Sequence, residues 1–444
     1  MNTLPRLKSL VLCSALAIAS TVTFAVCAGS EEHVETELIY FLPDCNEPGQ
    51  RSTWCPGLEK IKFREQQKRI IDMLFAPLNS DKADIFLATY SYNNFNLSDF
   101  LCEQTRNNSN VTIIADFSYA GHAALNVLAE KCEGPKVKIL YLAKKDLEQE
   151  LPIHHNKLLM IKSENSDNVN IIFGTANATL SSFGMHFELW NSAVTHRESN
   201  FARQHDCFKQ ALISAAEEEA GPLQEDGAKI FNIKLSSCRN FFNIAGFEEA
   251  LEKEGIAPLF IPADSQIAEE ALKDAVNNAP AGSEIVGAAH LLTSSSVIRA
   301  LMRASARGVK VRIVTDDDTL SGHVDSYETA KTYRKNLKNS GIEFKFIETN
   351  HTIPQLMHMK FLLIDRKLLI TGSGQFSHAA LHQNYENFYF SNNKALIKQY
   401  QNLFDKLWDL GFSDPGHKSG IMSRISRMFA SYVTYVRRLF GLDS

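Results

Sequence analysis

The sequence predicts an α/β protein made of two similar lobes, each a mixed β-sheet flanked by helices, with an active site at the lobe interface. Three observations support this prediction. A short pattern of polar residues occurs twice, about two hundred residues apart, and the same order of apolar strands and helical stretches precedes each copy. In addition, 444 residues of which 44% are hydrophobic suffice for two cores.

The first element of the chain is typical of a secretory signal. Arg6 and Lys8 precede an uncharged stretch over residues 9–28, whose small-residue ending predicts cleavage after Ala28. We therefore predict a signal peptide over residues 1–28 and export, either to the periplasm or as a secreted protein. The uncharged stretch is long for a signal, so an uncleaved N-terminal membrane anchor is the alternative.

The first lobe is predicted over residues 38–210. Residues 40–43 are followed by a helical stretch, an apolar strand at 84–90, a further helix and strands at 111–116 and 137–142, ahead of the first polar pattern. Alternation of strands and helices indicates a sheet that is covered by helices on both faces.

A linker over residues 211–256 is predicted to join the lobes. It contains three consecutive glutamates, Glu217 to Glu219, which are typical of a solvated helix face or a linker. The second lobe, residues 257–412, repeats the order of the first. Residues 259–262 resemble residues 40–43, and the corresponding strands are expected at 284–289, 309–315 and 342–347.

The last element, residues 417–441, is predicted to be a basic amphipathic helix. Apolar residues recur at helical spacing between Ile421 and Leu439, with four arginines among them. Two interpretations stay open. The helix either lies on an anionic membrane surface or docks on a lobe.

Cysteine usage fits an exported protein. Without the signal, six cysteines remain, which allow fifteen pairings, and pairing of neighbours is the simplest. Those pairs are Cys45 with Cys55, Cys102 with Cys132, and Cys207 with Cys238. The alternative is that several of them are buried free thiols.

The polar pattern that occurs twice begins with a histidine and a lysine two residues apart. They are His155 and Lys157 in the first copy and His358 and Lys360 in the second, and each pair heads an apolar run. Because alternate side chains of a strand share a face, each histidine is predicted to point the same way as its lysine.

A second apolar run follows in each copy and ends in glycine, a hydroxyl residue, a spacer and a carboxamide. The last groups are Thr175 and Asn177 in the first copy, and Ser373 and Gln375 in the second. A single histidine–lysine pair is often only the solvated end of a strand. Two copies with the same partners instead indicate one shared site.

Two copies brought face to face supply two imidazoles, two ammonium groups and two amides. Cations and amide donors stabilise negative charge on phosphoryl oxygens, while one imidazole attacks phosphorus and the other donates a proton. The inventory therefore predicts cleavage of a phosphodiester through a covalent phosphohistidine. We expect no metal and no other cofactor.

At these residues the sequence resembles the phospholipase D superfamily, whose motif is written HxKxxxxD followed by GSxN. The second copy fits closely, with Asp365 at the Asp position and Gln375 in place of Asn. In the first copy Lys162 stands at the Asp position, Thr175 replaces Ser, and the interval to the glycine is five residues longer. The resemblance extends over residues 38–412.

The resemblance also implies the supporting residues. Asp365 would stabilise structure away from the phosphate. Glu188 and Glu386 would each orient a histidine, and they lie 33 and 28 residues after the histidines of their own copies.

The roles of the remaining residues follow the same family pattern. His155 would be the nucleophile and His358 the general acid. Lys157 and Lys360 would neutralise phosphate charge, and Asn177 and Gln375 would donate hydrogen bonds to it. Thr175 and Ser373 would either bind phosphate or stabilise the local turn.

Charge distribution favours a phospholipid substrate. The formal net charge is −5, of which residues 416–444 contribute +4 and the signal +2, leaving −11 for residues 29–415. An acidic body with a basic tail suits a membrane surface better than a nucleic-acid polyanion, which remains the alternative substrate. A degenerate protein that binds lipid without turnover is a third interpretation. We expect a monomer that uses both internal repeats.

Overall fold

The structure is a computed structural model that describes residues 34–43, 60–78, 82–132, 136–143, 152–220, 226–239, 243–316, 340–347, 349 and 355–413. The predicted signal peptide (1–28), the predicted C-terminal helix (417–441) and the predicted pair of Cys45 and Cys55 lie outside these residues. Within the described part of the chain, no helix is both long and apolar enough to cross a membrane.

The first lobe contains a mixed sheet of seven strands in the order β1-β7-β6-β5-β2-β3-β4. Strands β2, β3 and β4 are parallel, and the others are antiparallel to their neighbours. The strands are β1 (Glu35–Phe41), β2 (Ala83–Thr89), β3 (Asn110–Asp116), β4 (Val137–Leu142), β5 (Lys157–Ser163), β6 (Asn168–Gly174) and β7 (Glu188–His196).

The second lobe repeats this topology strand for strand, in the order β11-β10-β9-β12-β13-β14-β8. Its strands are β8 (Ile256–Ile261), β9 (Glu284–Ala289), β10 (Lys310–Asp316), β11 (Glu343–Ile347), β12 (Lys360–Ile364), β13 (Leu368–Gly372) and β14 (Glu386–Ser391). The predicted fold of two similar α/β lobes is therefore confirmed.

Helices cover both faces of each sheet, as predicted. The helices are α1 (Lys60–Leu74), α2 (Phe95–Arg106), α3 (Ala123–Lys131), α4 (Asn200–Ala220), α5 (Gly227–Cys238), α6 (Ile244–Glu254), α7 (Ser265–Asn277), α8 (Ser295–Ala306), α9 (His378–His382) and α10 (Lys394–Leu410). In the first lobe α1, α2 and α3 pack on one face and α4 on the other. In the second lobe α7 and α8 oppose α10.

Helix α10 shows how the sequence specifies such packing. Asn393 caps its first turn, because the Asn393 Oδ1 accepts hydrogen bonds from the backbone N–H groups of Ala395 and Leu396. The buried residues then recur at helical spacing, which gives the helix one apolar face. They are Leu396, Ile397, Tyr400, Leu403, Phe404 and Leu407.

The predicted linker is largely helical. Helix α4 runs without a break across the predicted boundary between residues 210 and 211, because its apolar face continues into Ala211, Leu212 and Ala215. Glu217 and Glu218 lie on the exposed side of the same helix, as expected for a solvated face.

Two of the three predicted disulfides are present. Cys102 is joined to Cys132, which links α2 to the end of α3, and Cys207 is joined to Cys238, which links α4 to α5. Both disulfides belong to the first lobe and the segment that follows it.

Candidate active site

The site lies at the edge of each sheet where the parallel strands end. Strand β5 is antiparallel to β2, with Lys157 paired to Thr89, so the start of β5 meets the end of β2. In the second lobe Lys360 is paired to Ala289 in the same way. The two histidine–lysine pairs therefore occupy equivalent positions in the two lobes.

Each lysine is fixed by the histidine of its own copy. Lys157 Nζ donates a hydrogen bond to the His155 carbonyl at 2.7 Å, and Lys360 Nζ donates to the His358 carbonyl at 2.7 Å. Lys157 is 4% exposed and Lys360 is 0% exposed. Both lysine side chains are thus buried and held by the backbone of their own copy.

Backbone hydrogen bonds between the lobes bring the two copies together. The His155 N–H donates to the Tyr385 carbonyl at 2.9 Å, and the His358 N–H donates to the Phe187 carbonyl at 3.0 Å. Short parallel bridges join His154 to Tyr385 and Phe187 to Met357. Each histidine therefore lies beside the residue that precedes the glutamate of the other lobe.

The carboxylates are consequently exchanged between the copies. Glu386 Oε1 lies 2.7 Å from His155 Nδ1, and Glu188 Oε1 lies 2.9 Å from His358 Nδ1. The expectation that each glutamate orients the histidine of its own copy is wrong, because the bridges between the lobes override proximity along the chain. A carboxylate at Nδ1 leaves Nε2 of each ring for the cleft.

Thr175 and Ser373 support these carboxylates. The Thr175 hydroxyl donates to Glu188 Oε2 at 2.6 Å, and the Ser373 hydroxyl donates to Glu386 Oε2 at 2.6 Å. Both residues are 0% exposed. The geometry thus gives the two hydroxyls a role that neither sequence alternative named, since they hold the groups that hold the histidines.

The two carboxamides of the repeated pattern have different hydrogen-bond partners. Gln375 Oε1 accepts a hydrogen bond from the Leu291 backbone N–H at 3.0 Å, which ties the segment after β9 to the second copy. Asn177 lines a small cavity together with Lys157. Its Oδ1 atom is buried and has no hydrogen-bond partner among the residues that the structure describes.

The motif position of Asp365 lies away from the site in both lobes. Asp365 is in the turn between β12 and β13, with φ of 50°, and pairs with Lys367. In the first lobe Lys162 Nζ lies 2.6 Å from both carboxylate oxygens of Asp206 on α4. The residue that departs most from the family motif therefore anchors a helix.

Sequence reasoning missed two aspartates at the ends of β3 and β10. Asp116 Oδ2 accepts from the His154 N–H at 2.8 Å, and Asp316 Oδ2 accepts from the Met357 N–H at 2.7 Å. Each fixes the backbone immediately before a site histidine. The available signal was that both equivalent strands end in aspartate.

Sequence reasoning also missed the side chains around the two imidazoles. The Tyr90 ring lies 5.3 Å from the His155 ring, whereas the His290 ring lies 5.4 Å and the His186 ring 6.1 Å from the His358 ring. These distances join ring centroids. The two halves of the site are thus alike in backbone and different in lining.

Burial dominates the electrostatics. It lowers the pKa of His155 to about 4, against the opposing effect of Glu386, and it lowers the pKa of His358 well below its usual value, an effect to which Lys360 adds. Burial also lowers the pKa of Lys360 to about 7 and that of Lys157 well below its usual value. An anionic phosphate in the cleft would favour the charged form of all four groups.

The arrangement suits attack on a phosphorus atom. Two carboxylate-bound imidazoles lie with two buried lysines that each interact with both carboxylates. These groups can supply a nucleophile, an acid and charge stabilisation for phosphoryl transfer. In the described ranges, no group of three His, Cys, Asp or Glu side chains is arranged to hold a metal ion.

A family model described as "Cardiolipin synthase, PLD-like domain" matches residues 272–408. Among curated relatives, a "Mitochondrial cardiolipin hydrolase" of Xenopus tropicalis is 27% identical over 113 residues, which are 26% of this chain and 49% of the relative. A "Phospholipase D" of Rickettsia prowazekii is 33% identical over 119 residues, which are 27% of this chain and 53% of the relative. The chain thus spans about half the length of these curated relatives.

The fold also resembles a solved structure over most of both chains. A phosphatidylserine synthase of Haemophilus influenzae superposes with a TM-score of 0.53 and 10% identity, covering 85% of this chain and 92% of that chain. The likeness supports the two-lobed architecture.

Proposed function

We propose, from the premise that this chain is a phospholipase D superfamily protein, that it hydrolyses phospholipids through a covalent phosphohistidine. One observation carries the proposal. Each of the two imidazoles is bound at Nδ1 by a buried carboxylate of the other lobe, and two buried lysines each interact with both carboxylates.

In the first step His155 Nε2 attacks phosphorus. The bond from phosphorus to the leaving oxygen breaks, and protonated His358 transfers its proton from Nε2 to that oxygen, so the alcohol leaves neutral. Glu188 stabilises the protonated form of His358 before the transfer. Lys157 and Lys360 offset the charge on the remaining phosphoryl oxygens.

In the second step His358, now neutral, accepts a proton from water. The resulting hydroxide attacks phosphorus, the bond between nitrogen and phosphorus breaks, and His155 returns to its starting state. An alcohol that replaces water gives transphosphatidylation by the same route. The histidines regain their initial protonation in either case.

Phospholipid is the favoured substrate for two reasons. Residues 29–415 carry a net charge of −11, which opposes binding of a nucleic-acid polyanion. Curated relatives of this chain bear the names cardiolipin hydrolase and phospholipase D. Nucleic acid is the competing substrate.

We also propose that the protein is exported. The uncharged stretch that ends at Ala28 supports this, and the two disulfides are compatible with an oxidising compartment. Mass spectrometry of the mature N-terminus tests it, and a protein that retains residues 1–28 would support the anchor instead.

The substrate is tested with purified mature protein and two parallel assays. Vesicles of phosphatidylglycerol and phosphatidylcholine are followed for released head group, and single- and double-stranded DNA are followed for strand cleavage. We expect head-group release and intact DNA. Cleaved DNA without head-group release would overturn the lipid assignment.

The intermediate is tested with a phospholipid labelled with ³²P in its phosphodiester. Rapid quenching in alkali should leave label on the protein that acid then removes, as expected of a phosphohistidine. The label should be absent from the His155→Ala variant. Label that survives acid would indicate another nucleophile.

A further inference from the structure

The residues that flank the two site histidines differ in polarity. His154 and Asn156 lie on either side of His155 in the chain, and both are 0% exposed. Met357 and Met359 occupy the equivalent positions of the second copy and are equally buried. The first copy thus buries a polar pair where the second copy buries an apolar pair.

The same difference occurs at the residue after each exchanged glutamate. Asn387 follows the glutamate that binds His155, and Leu189 follows the other glutamate. Leu189 belongs to the same buried apolar cluster as the two methionines. Asn387 Nδ2 instead donates a hydrogen bond to Asn156 Oδ1 at 3.2 Å, and this bond joins the two lobes.

These polar side chains form a hydrogen-bonded chain with a fixed direction. The Ser373 backbone N–H can only donate, and it donates to Asn387 Oδ1 at 3.1 Å. Asn387 therefore presents its amide nitrogen to Asn156, whose own Nδ2 lies 3.4 Å from His154 Nδ1. Since an amide nitrogen only donates, His154 Nδ1 is the acceptor. Burial lowers the pKa of His154 to about 3, which keeps this ring neutral.

The chain reaches Glu386 through Ser373. The Asn387 N–H donates to Ser373 Oγ at 2.9 Å, and the Ser373 hydroxyl donates to Glu386 Oε2 at 2.6 Å. At the other end, the His154 N–H donates to Asp116 Oδ2 at 2.8 Å. The carboxylate that binds the proposed nucleophile is therefore connected to fixed backbone in both lobes.

The support around His358 is less directional. Both carboxylate oxygens of Glu188 lie near His358 Nδ1, at 2.9 and 3.1 Å, and Oε2 also accepts from the Thr175 hydroxyl. Leu189 has no side-chain group that could extend these hydrogen bonds. Because buried polar networks make a core rigid whereas methionine packs adaptably, we expect His155 to be held more rigidly than His358.

The two imidazoles also have different positional requirements in the proposed mechanism. Attack requires Nε2 of the nucleophile to be aligned with phosphorus, and a displacement of about 1 Å can cost about 100-fold in rate. The other imidazole serves two oxygens in succession, first the leaving oxygen and then water. A rigid half therefore suits the nucleophile, and an adaptable half suits the acid and base.

We propose that Asn156 and Asn387 are positioning residues of the nucleophile, which hold Glu386 and through it keep the His155 imidazole in the attacking orientation. The inference rests on the proposed function, since it needs His155 to be the nucleophile. It goes beyond that function by giving a task to the buried amides between the lobes.

The test separates positioning from stability with three variants. Asn156→Ala breaks the chain and leaves the Asn387 carboxamide buried without its partner, so it should lower the melting temperature. Asn156→Ala combined with Asn387→Leu replaces both carboxamides by apolar side chains, so this double variant should melt above the single variant. Met359→Ala truncates the equivalent position of the second copy and is the matched control.

The first chemical step is measured by quench-flow with ³²P-labelled bis(4-nitrophenyl) phosphate, on full-length mature proteins. The single and double variants should both form the phosphohistidine about tenfold more slowly, as expected when an imidazole loses its orienting partner. The half-saturating ester concentration should change little, because both lysines remain. Met359→Ala should melt at a lower temperature and keep the rate of the unsubstituted protein.

Three outcomes would overturn the proposal. They are an unchanged rate in Asn156→Ala, a double variant whose rate recovers together with its melting temperature, and an equal slowing in Met359→Ala. The second outcome would leave the two amides a role in stability alone. If the unsubstituted protein forms no phosphohistidine from the ester, the proposed function fails instead.

A further measurement needs no substitution. Relaxation dispersion of isotope-labelled imidazoles should show exchange on the microsecond to millisecond timescale at His358 and not at His155. Exchange at His155 that equals or exceeds that at His358 would contradict the proposed rigidity of the nucleophile.

Discussion

The residue at the Asp position of the motif differs in the two lobes, where Lys162 lies near the end of β5 and Asp365 directly follows β12. In the second lobe Asp365 occupies a tight turn and pairs with its neighbour Lys367. In the first lobe Lys162 reaches α4, where it binds Asp206. Lys209 of the same helix binds Asp84, the strand partner of Lys162.

The residues of the site and the ion pairs that stabilise the sheets behind it therefore vary independently. The histidines, lysines, hydroxyls and exchanged carboxylates are alike in both halves, whereas the ion pairs behind the sheets are not. Loss of the motif aspartate is therefore compatible with an intact half-site. The substitutions below test how far the equivalence of the halves extends.

The largest effect should come from the two histidines, to which the mechanism gives different roles. His155→Ala and His358→Ala should each lower kcat on phospholipid by about a thousandfold or more. With bis(4-nitrophenyl) phosphate, whose leaving group needs no proton, only His358→Ala should still form the covalent intermediate. Quench-flow with ³²P-labelled ester measures this.

The reverse outcome would exchange the roles of the histidines. Label on His155→Ala and none on His358→Ala would make His358 the nucleophile. Full activity of either variant would remove that histidine from the mechanism.

The carboxylates should give the next largest effect. Glu386→Gln and Glu188→Gln should each lower kcat by about 10- to 100-fold, by analogy with groups that orient a reactive imidazole. Because Glu386 raises the pKa of His155, its replacement should move that pKa below about 4. Titration of labelled imidazoles by NMR measures the shift.

The two glutamates are controls for each other in this titration. Glu386→Gln should shift His155 strongly, and Glu188→Gln should shift His358 strongly. Larger shifts within each copy than between copies would contradict the exchanged pairing.

The pH profile should show a smaller effect at Lys360. The ammonium is charged below its pKa, which burial lowers to about 7, so kcat/KM should show an alkaline limb near pH 7, beyond the earlier fall that accompanies loss of the His358 proton. Lys360→Arg stays charged throughout, and its alkaline limb should move to higher pH even if its maximum is lower.

Lys367→Arg is the matched control, since the Lys367 side chain is 77% exposed in the β12–β13 turn. Its profile should follow that of the unsubstituted protein. An alkaline limb that stays near pH 7 in Lys360→Arg would assign the limb to another group.

The smallest effect should come from Lys162 and Asp365, the residues at the Asp position of the motif. Lys162→Ala should lower the free energy of unfolding by about 1 kcal/mol, because the pair with Asp206 is only partly buried. Asp365→Ala should cost less, since its partner Lys367 is mostly exposed. Urea unfolding measures both, with turnover as the companion assay.

The turnover of Lys162→Ala should remain within about twofold of that of the unsubstituted protein, because the substitution removes only an ion pair with α4. A loss of activity without a loss of stability would place Lys162 in the chemistry.

Much of this structure follows from local sequence patterns. Apolar runs and their order predicted the central strands of both sheets, and the repeated polar residues predicted which side chains meet. Strand β14 was not predicted as a strand, because its residues are all buried and show no alternation of polar and apolar positions.

The exchanged carboxylates could not be predicted from spacing along the chain. They depend on backbone bridges between segments about 170 and 230 residues apart, such as the one from His155 to Tyr385. The ion pair of Lys162 could not be predicted for a similar reason, since its partner Asp206 lies 44 residues later, on α4.

The reciprocal bridges between His154 and Tyr385 and between Phe187 and Met357 carry one more consequence. A lobe on its own has a histidine without its carboxylate and a carboxylate without its histidine, so only a twofold pairing of lobes completes either half. Joining both lobes in one chain makes that pairing intramolecular. Its completion is then independent of protein concentration, and dilution, which would disperse a dimer, leaves the site assembled.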